Sequence, residues 1–364
     1  MQFDKESTGL FHVAEERGTS IYRLVPDNVI NEYFIVSSEG TRHLMRSPEV
    51  VGYDSYMSMI EPTTAMLDYL SRQGMSREVN ILTILRGGLN YPLEECCHHV
   101  GLQVDNMNFL SCERVFEGDA IVGLDVRYTK LAVTCGSTLL IGDIFATGNT
   151  FVLCFHHVME EFYRHGGSIR RVVFFTVGGT NVIPLTERIT AEMRALWPDF
   201  EGFTCVCYEG MFSVYADKGS MGVNVPDVDF GWKDGVISPE FRSSVLKDDD
   251  ALFEKCIIYD GGARRYEISD HIREVTEYWE GVLRASGNTD MQTLVEEKLG
   301  YPVSVGYDEW LSLNGYKYLA SEITRPLYEL EQSFVRQAIL RSLHDTAVRR
   351  LQKFTAALER YRKH

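Results

Sequence analysis

The sequence predicts an α/β protein with a parallel sheet flanked by helices, followed by a mainly helical C-terminal region. From about residue 79, short apolar runs rich in β-branched residues alternate with helical patterns, which is typical of a parallel sheet. After about residue 250 the pattern is helical. The chain has 364 residues, of which 45% are hydrophobic and 24% are charged, as in an ordinary folded protein and unlike a disordered or collagen-like one.

The composition also limits the classes of function. The formal net charge is −16, from 36 Lys and Arg against 52 Asp and Glu, and so acidic a chain repels nucleic-acid phosphates at long range. No run reaches the roughly 20 apolar residues that a membrane span requires, and the first residues lack a signal-peptide pattern. The eight cysteines include no CxxC pair, which favours reduced thiols over zinc ligands. We therefore expect a cytoplasmic protein without a membrane or nucleic-acid partner.

The individual elements follow from local patterns in chain order. Residues 33–36 are strand-like, and residues 62–73 form a helical pattern. The buried strands of the parallel sheet are predicted as four apolar runs: Val79–Leu85, Ser137–Ile141, Arg171–Val177 and Phe203–Tyr208. Helices are predicted over residues 91–100 and from about residue 150 to residue 164.

The second half of the chain has two further patterns. Residues 209–240 are rich in glycine, aspartate and aromatic residues without a regular period, which predicts a long functional loop. Residues 320–363 are amphipathic and become basic from Arg336 onward. We expect this basic end to pack on its own domain first, and to pair with a second copy in a homodimer second. The predicted regions are an N-terminal segment over residues 1–60, a core over residues 61–240 and a mainly helical C-terminal region over residues 241–364.

The most informative segment is the strand-to-helix turn over residues 139–150. The strand delivers Asp143 to its carboxyl end, and a short turn with the hydroxyls of Thr147 and Thr150 leads at once into a helix. Gly148 permits a close backbone approach. Backbone N–H groups that converge with a helix N-terminus suit an anion, and open α/β sheets bind ligands at this edge. The turn therefore predicts a phosphate site, with Asp143 able to accept hydrogen bonds from sugar hydroxyls.

This turn resembles the phosphoribosyl pyrophosphate (PRPP) motif of type I phosphoribosyltransferases. In that motif an apolar strand leads to two acidic residues, two apolar residues, a small residue, Thr-Gly-x and Thr or Ser. The resemblance implies that Asp143 holds the ribose hydroxyls and, indirectly through PRPP, Mg²⁺. Gly142 stands where the family has its first acidic residue, which implies weaker ribose or metal contacts, or altered chemistry. The residues implied to bind the 5′-phosphate are Ala146, Thr147, Gly148, Asn149 and Thr150.

A second motif lies one strand–helix unit earlier, at residues 84–89, with the sequence Ile-Leu-Arg-Gly-Gly-Leu. A strand that ends in an arginine and two glycines can surround a pyrophosphate with N–H groups and a guanidinium. The segment resembles the pyrophosphate loop of the same family, in the style of its uracil phosphoribosyltransferases. The resemblance implies a cis peptide bond between Leu85 and Arg86. The residues implied to contact pyrophosphate here are Leu85, Arg86, Gly87 and Gly88.

Residues 112–134 lie between the two motifs, where the family has a flexible arm that closes over the active site and excludes water. The resemblance implies that basic residues of this arm contact the pyrophosphate, and a solvated hairpin is the alternative for each of them. The candidates are Arg114, Arg127 and Lys130. The catalytic residues that the resemblance implies are Asp143, Arg86 and Lys130.

In the family, base recognition lies on the side of a hood, a smaller lobe above the sheet edge. The resemblance implies that residues 1–60 are a candidate part of this hood and that residues 208–232 lie on its side. Candidates for stacking on a base or for accepting its N–H groups are Asp227, Asp229, Phe230 and Trp232. The alternative is that this loop packs its aromatic side chains inside. Ala146 stands where members acting on 6-oxopurines carry an acidic residue, so it resembles the uracil and adenine branches. The Pro-Gly-x-Gly-Asp run of the uracil branch has no good copy, and the acceptor base stays open.

The resemblance covers about residues 60–232 and implies a type I phosphoribosyltransferase core and an enzyme of nucleotide metabolism. The implied reaction transfers the 5-phosphoribosyl group from PRPP, with Mg²⁺, to a ring nitrogen of a nucleobase-like small molecule and releases pyrophosphate. The alternative is a non-catalytic regulator of the same fold that binds PRPP or a nucleotide, which Gly142 and the basic C-terminal end favour. A third, weaker alternative is cleavage of nucleotides by the same chemistry.

Overall fold

The computed structural model of the protein describes residues 8–26, 29–117, 120–215, 229–255 and 261–361. The dominant element is a ten-stranded mixed sheet with helices on both faces, and the described residues from 239 onward, called here the helical region, are mainly helical. The predicted α/β class and the helical C-terminal region are therefore confirmed. No described helix combines the length and apolar content that crossing a bilayer requires.

The described strands all belong to this sheet. In chain order they are β1 (Gly9–Glu16), β2 (Thr19–Val25), β3 (Glu32–Ser37), β4 (Glu78–Leu85), β5 (Gln103–Glu117), β6 (Ala120–Lys130), β7 (Ser137–Gly142), β8 (Ile169–Gly179), β9 (Gly202–Tyr215) and β10 (Asp229–Ile237). Their order in the sheet is β1-β2-β3-β9-β8-β7-β4-β5-β6, and β10 pairs with β9.

Six helices connect or flank the strands, and seven follow β10 in the described residues. The first six are α1 (Glu39–Arg46), α2 (Tyr53–Met57), α3 (Ile60–Arg72), α4 (Leu93–His99), α5 (Asn149–Arg164) and α6 (Val182–Leu196). The helical region contains α7 (Pro239–Leu246), α8 (Gly261–Arg265), α9 (Ile268–Ala285), α10 (Met291–Leu299), α11 (Tyr307–Asn314), α12 (Ser321–Ala338) and α13 (Leu343–Tyr361).

The centre of the sheet is parallel and buried on both faces. Strands β3, β9, β8, β7, β4 and β5 run parallel, whereas β1, β2 and β6 are antiparallel to their neighbours. All six residues of β7 are buried, as expected where helices cover both faces. Cys205 and Cys207 of β9 are fully buried, and this burial raises the pKa of both thiols. These cysteines therefore have a packing role in the sheet.

The chain order reverses between two central strands. After β4 the chain passes through α4 to β5, whereas after β7 it passes through α5 to β8 and then through α6 to β9, toward the opposite edge. Right-handed crossovers then put α4 on one face and α5 and α6 on the other. The crevice at the carboxyl ends of β4 and β7 is the position at which open α/β sheets bind ligands.

The prediction of a long loop over residues 209–240 is wrong for most of the residues in this range that the structure describes. β9 continues to Tyr215 and forms an antiparallel pair with β10. The strand pattern is interrupted because Glu209 has a left-handed φ of 63° and because the pairing register shifts between Gly231 and Val236. A bulged, glycine-rich hairpin lacks the clean alternation by which a strand is predicted.

Two further features concern the beginning and the end of the chain. The N-terminal segment continues the core sheet, since β3 pairs in parallel with β9 through Glu32–Val36. The amphipathic pattern over residues 320–363 is divided between α12 and α13, which residues 339–342 connect. The division coincides with Leu340, whose side chain is 85% exposed and so lies off the apolar stripe.

A buried ion pair organises the helical region. Arg242 of α7 donates to Glu331 of α12 at 2.6 Å, and their side chains are only 1% and 0% exposed. The Tyr301 hydroxyl and the Trp310 indole N–H also donate to Glu331, at 2.6 and 2.8 Å. The Tyr316 hydroxyl donates to a backbone carbonyl of β10 at 2.6 Å, which ties this cluster to the sheet. Buried charges are stable only when they are paired and hydrogen-bonded in this way.

The basic end of the chain packs against its own domain. Helix α13 lies along α9, and its cations pair with acidic residues that precede it in the chain. These pairs are Arg349 with Asp250 at 2.7 Å, Arg350 with Glu254, and Lys353 with Glu49. These contacts agree with the first of the two expectations for the basic end, which was that it packs on its own domain.

Candidate functional site

The two predicted motifs meet at the carboxyl edge of the sheet, in the crevice between β4 and β7. Gly87 follows β4, and Asp143 follows β7. A Cβ atom added at Gly87 would overlap the Asp143 carboxylate, so the two segments are in direct contact. The structure therefore brings together, at the point where the chain order reverses, two segments that lie far apart in the sequence.

Backbone hydrogen bonds hold the turn after β7 against the neighbouring strand β8. The N–H of Asp143 donates to the carbonyl of Phe175 at 3.1 Å, and the N–H of Phe145 donates to the carbonyl of Val177 at 3.1 Å. The N–H of Gly179 donates back to the carbonyl of Phe145 at 2.8 Å. These bonds continue the sheet pattern past the end of β7, so the residues that follow begin from a fixed position.

Aromatic packing anchors the start of α5 under this turn. Phe151 of α5 stacks on Phe174 of β8 with a centroid distance of 4.5 Å, and the Phe145 ring meets Phe151 edge-on at 5.3 Å. Gly148 has a φ of 78°, and any side chain there would overlap the Phe145 ring. Glycine is required at this position both for its backbone conformation and for space.

Residues 146–149 present a row of backbone donors at the N-terminus of α5. Within the described part of the chain, the N–H groups of Ala146, Thr147 and Gly148 donate to no protein acceptor. Thr147 and Asn149 are exposed, and Ala146 is half-buried. Helix α5 is 16 residues long, so the partial positive charge of its N-terminus adds to these donors. This arrangement suits an anion of the size of a phosphate group.

Tyr91 explains why residue 142 is a glycine. A Cβ atom at Gly142 would overlap the Tyr91 side chain, which is 6% exposed and whose hydroxyl accepts a hydrogen bond from the Val177 N–H at 3.3 Å. An acidic side chain is therefore excluded at this position, and Asp143 supplies the carboxylate of the turn. Asp143 is half-buried, and its Oδ1 accepts a hydrogen bond from the Ile144 N–H at 2.8 Å.

The loop after β4 is a tight turn whose arginine faces solvent. The peptide bond between Leu85 and Arg86 is cis, as the resemblance implied. Residues Gly87–Asn90 form a 3₁₀ turn, in which the Asn90 side-chain amide donates to the Gly87 carbonyl at 3.1 Å. The Arg86 side chain is 77% exposed. A cation is thus placed at the rim of the crevice, where an anionic ligand could reach it.

Two residues of the helical region contact this loop. Arg86 donates to the Glu267 carboxylate at 3.2 Å. Arg265 donates to the Leu89 carbonyl at 3.0 Å, and its guanidinium lies over the Tyr56 ring at 4.1 Å from the centroid. Sequence reasoning missed these contacts, because the resemblance ends before them and no local pattern connects residues so far apart. Sequence reasoning also missed the packing of Tyr91 on residue 142, because no local pattern connects these two residues either.

The predicted arm is a β5–β6 hairpin that overhangs the sheet edge. The last residue of β4, Leu85, pairs with Ser111, so β5 continues beyond this edge together with β6. Arg127 is 57% exposed and pairs with Glu113 at 2.9 Å and with Asp125 at 3.0 Å. Its guanidinium therefore lies in the overhanging part of the hairpin, with two carboxylates as its neighbours.

The other two basic candidates of the arm differ in position. Lys130 is exposed and pairs with Phe109, which precedes Ser111 by two residues, so Lys130 lies below the level of the crevice in this conformation. The side chain of Arg114 lies outside the described residues.

One of the four candidates for base recognition can be placed with its side chain. Trp232 is 3% exposed, and the guanidinium of Arg242 lies 4.5 Å from its ring centroid. The indole therefore faces the interior of the helical region, which agrees with the packing alternative for this aromatic residue. Asp227 and the side chains of Asp229 and Phe230 lie outside the described residues.

A buried carboxylate lies in β9, at Glu209. Glu209 is 0% exposed and accepts hydrogen bonds from the Ser38 N–H at 3.1 Å, the Thr41 hydroxyl at 2.5 Å and the Ser238 hydroxyl at 3.0 Å. Burial raises the pKa of Glu209 to about 7, although these hydrogen bonds act in the opposite direction. Glu209 thus connects β9 to the segments that begin α1 and α7.

The residues at the crevice are better suited to a metal ion that enters bound to a ligand than to a metal ion that protein side chains hold by themselves. The described residues contain no group of three or more His, Cys, Asp or Glu side chains that could hold an ion. Asp143 supplies a single accessible carboxylate. Mg²⁺ is commonly bound by one or two carboxylates together with substrate phosphates, and the crevice fits that arrangement.

Comparisons with models of protein families and with curated proteins give no match. Similar solved structures include the AQ2163 protein from Aquifex aeolicus, which is 14% identical over 50% of this chain and 91% of that chain, with a TM-score of 0.34. A hypoxanthine phosphoribosyltransferase from Staphylococcus aureus is 13% identical over 36% of this chain and 67% of that chain, with a TM-score of 0.27. A purine phosphoribosyltransferase from Pyrococcus horikoshii is 17% identical over 32% of this chain and 72% of that chain, with a TM-score of 0.23. At such low scores these similarities decide neither the fold nor the function, which depend on the chain's own residues.

Proposed function

We propose that the protein is a phosphoribosyltransferase. It uses PRPP and Mg²⁺ to attach a 5-phosphoribosyl group to a ring nitrogen of a nucleobase-like heterocycle, and it releases pyrophosphate. The observation that carries this proposal is the contact between Gly87 and Asp143 across the crevice. It joins a helix N-terminus with open backbone donors to a loop that bears an exposed arginine. Two anion sites on either side of one crevice suit a ligand with a phosphate at one end and a pyrophosphate at the other.

The turn after β7 is proposed to bind the phosphoribosyl group. The N–H groups of Ala146, Thr147 and Gly148 have no protein acceptor in the described residues, and they would donate to the 5′-phosphate. The hydroxyl of Thr147 and the side chain of Asn149 lie at the same helix N-terminus. Asp143 would accept hydrogen bonds from the ribose hydroxyls, because its half-buried carboxylate lies at the base of the turn.

The loop after β4 is proposed to bind the leaving group. Arg86 and the backbone N–H groups of Gly87 and Gly88 would hold the pyrophosphate in line with the ring nitrogen that attacks. The transition state of such a transfer is expected to be oxocarbenium-like, so the protein must stabilise the negative charge that develops on the leaving oxygen. Mg²⁺ bound by the oxygens of PRPP would supply further positive charge there.

The test is an assay of pyrophosphate release from PRPP with Mg²⁺ across a panel of purine and pyrimidine bases. We expect turnover with at least one base, and we expect Asp143→Asn to lower kcat/KM by about 100-fold or more, the scale found when one preorganised contact to a transition state is lost. The control is Asp105→Asn, an exposed residue near the amino end of β5, which should leave the rate unchanged. Equal rates for Asp143→Asn and the unmodified protein would contradict the proposed role of the turn.

A second candidate is a non-catalytic regulator that binds PRPP or a nucleotide at the same crevice. Two observations favour it. Tyr91 fills the space that a second carboxylate, at residue 142, would need, and Glu267 pairs with Arg86. For a regulator we expect PRPP to bind in a calorimetric titration, Asp143→Asn to weaken that binding, and no base to give pyrophosphate release. Absence of PRPP binding would exclude both candidates.

A further inference from the structure

The helical region reaches the candidate site at the junction between α8 and α9. Arg265 ends α8, and Glu267 immediately precedes α9. The junction is anchored from below by Arg264, which is 0% exposed and donates to the carbonyls of Ser47 at 2.7 Å and Val50 at 2.9 Å. A buried arginine that is bound to backbone carbonyls holds its neighbours in place, so the position of this junction is set by the core.

A second set of contacts holds the junction against the loop after β4. The Arg265 guanidinium donates to the Leu89 carbonyl at 3.0 Å and lies over the Tyr56 ring at 4.1 Å. The Tyr56 hydroxyl donates in turn to Glu95 at 3.1 Å. Glu267 is two residues away from Arg265 and is therefore kept within reach of the same loop.

The pair that Glu267 forms there is open to solvent. The Arg86 and Glu267 side chains are 77% and 45% exposed, and they are joined at 3.2 Å. Within the described residues the Arg86 guanidinium has no other acceptor. Exposed pairs of this kind contribute about 0 to 1 kcal/mol, because water and salt compete with them. A ligand group with two or more negative charges can replace the carboxylate.

We propose that Glu267 lowers the affinity of the site for its anionic ligand. Its carboxylate is paired with Arg86 in the free protein, and a pyrophosphate group must displace it. The inference rests on the proposed function in one respect, that pyrophosphate is the anion that Arg86 binds. Since pyrophosphate is the leaving group of the proposed reaction, this competition favours its release.

The experiment is a calorimetric titration of the full chain with inorganic pyrophosphate and Mg²⁺. We expect Glu267→Gln to lower the Kd by about two- to fivefold, the change that corresponds to losing a competing exposed ion pair. The matched control is Glu277→Gln on α9. Glu277 pairs with Arg273 at 2.9 Å and is 46% exposed, so its substitution removes the same charge from an equally exposed carboxylate away from the crevice.

A double substitution separates local competition from the change in net charge. In the Arg86→Gln background, adding Glu267→Gln should leave the Kd unchanged within error, and Glu277→Gln should leave it unchanged in the unmodified protein. If the protein binds pyrophosphate and Glu267→Gln has the same or a higher Kd, the inference fails and the proposed function stands. If neither the unmodified protein nor Glu267→Gln binds pyrophosphate or PRPP, the inference and the proposed function fail together.

Discussion

The Arg86–Glu267 pair at the crevice and the Arg242–Glu331 pair inside the helical region join the same two side-chain types in opposite environments. At the crevice the two side chains are 77% and 45% exposed and share one hydrogen bond at 3.2 Å. Inside the helical region they are 1% and 0% exposed, are joined at 2.6 Å, and have further partners from Tyr301 and Trp310.

The difference shows which of the two pairs can be broken at little cost to the folded state. Removing one partner of a buried pair leaves the other charge without water or a counter-charge, which is strongly destabilising. Removing one partner of an exposed pair leaves a charge that water solvates, so the folded state loses little. The Arg86–Glu267 pair can therefore change partners, whereas the Arg242–Glu331 pair cannot.

The largest expected effect comes from breaking the buried pair. Arg242→Met should lower the free energy of unfolding by about 3 to 5 kcal/mol, because Glu331 stays buried without its counter-charge. Urea denaturation followed by circular dichroism measures the change. Adding Glu331→Leu should restore part of the loss, although Tyr301 and Trp310 then lose their acceptor. A loss of less than about 1 kcal/mol for Arg242→Met would contradict the structural role of this pair.

A smaller effect is expected where the two sides of the crevice meet. Gly142→Asp should lower the free energy of unfolding by about 1 to 3 kcal/mol, because the new side chain overlaps Tyr91 in a packed interior. Tyr91→Ala in the same chain should relieve part of this cost. Gly287→Asp is the control, since a Cβ atom there meets nothing within 4 Å. Equal denaturation curves for the two aspartate variants would show that Tyr91 does not restrict residue 142.

Glu209 should make stability depend on pH in a direction that its environment sets. Its pKa in the folded protein is raised from 4.5 to about 7 by burial, so the folded state binds a proton more readily than the unfolded state. This contribution to stability is fully present below pH 4.5 and is lost as the pH rises toward 7, with a slope of at most about 1.4 kcal/mol per pH unit. Thermal melts should show a smaller decline in Tm over this window for Glu209→Gln, and an unchanged decline would assign the effect to another group.

The smallest effect on stability is expected for the exposed ion pair at the crevice. Arg86→Gln should change the free energy of unfolding by less than about 1 kcal/mol, because its ion pair is exposed. The same substitution should weaken pyrophosphate binding about tenfold or more, since a charge-assisted contact to an anion is lost. Arg273→Gln, which breaks an exposed pair on α9, should leave both quantities unchanged. Loss of stability without loss of binding in Arg86→Gln would reverse the comparison between the two pairs.

Much of the sheet could be predicted from sequence because its strands are continuous apolar runs. Residues 79–85, 137–141, 171–177 and 203–208 all lie in strands of the structure, each extended by one or more residues. Prediction failed after residue 208, where β9 passes through a left-handed residue and forms a bulged hairpin with β10. A strand that depends on its partner for register carries a weak local pattern.

The same contrast holds for the candidate site. The turn at residues 143–150 and the loop at residues 85–88 depend on backbone conformation and on immediate neighbours, so their composition already identifies them. Two other features depend on contacts between segments distant in the chain. Tyr91 excludes a side chain at residue 142, and Glu267 pairs with Arg86. Local sequence thus determined which backbone and side-chain groups the turn and the loop present, whereas packing between remote segments decided which carboxylates surround them. The physical reason is that conformational preferences act over a few residues, while steric exclusion and ion pairing act wherever the fold brings atoms together.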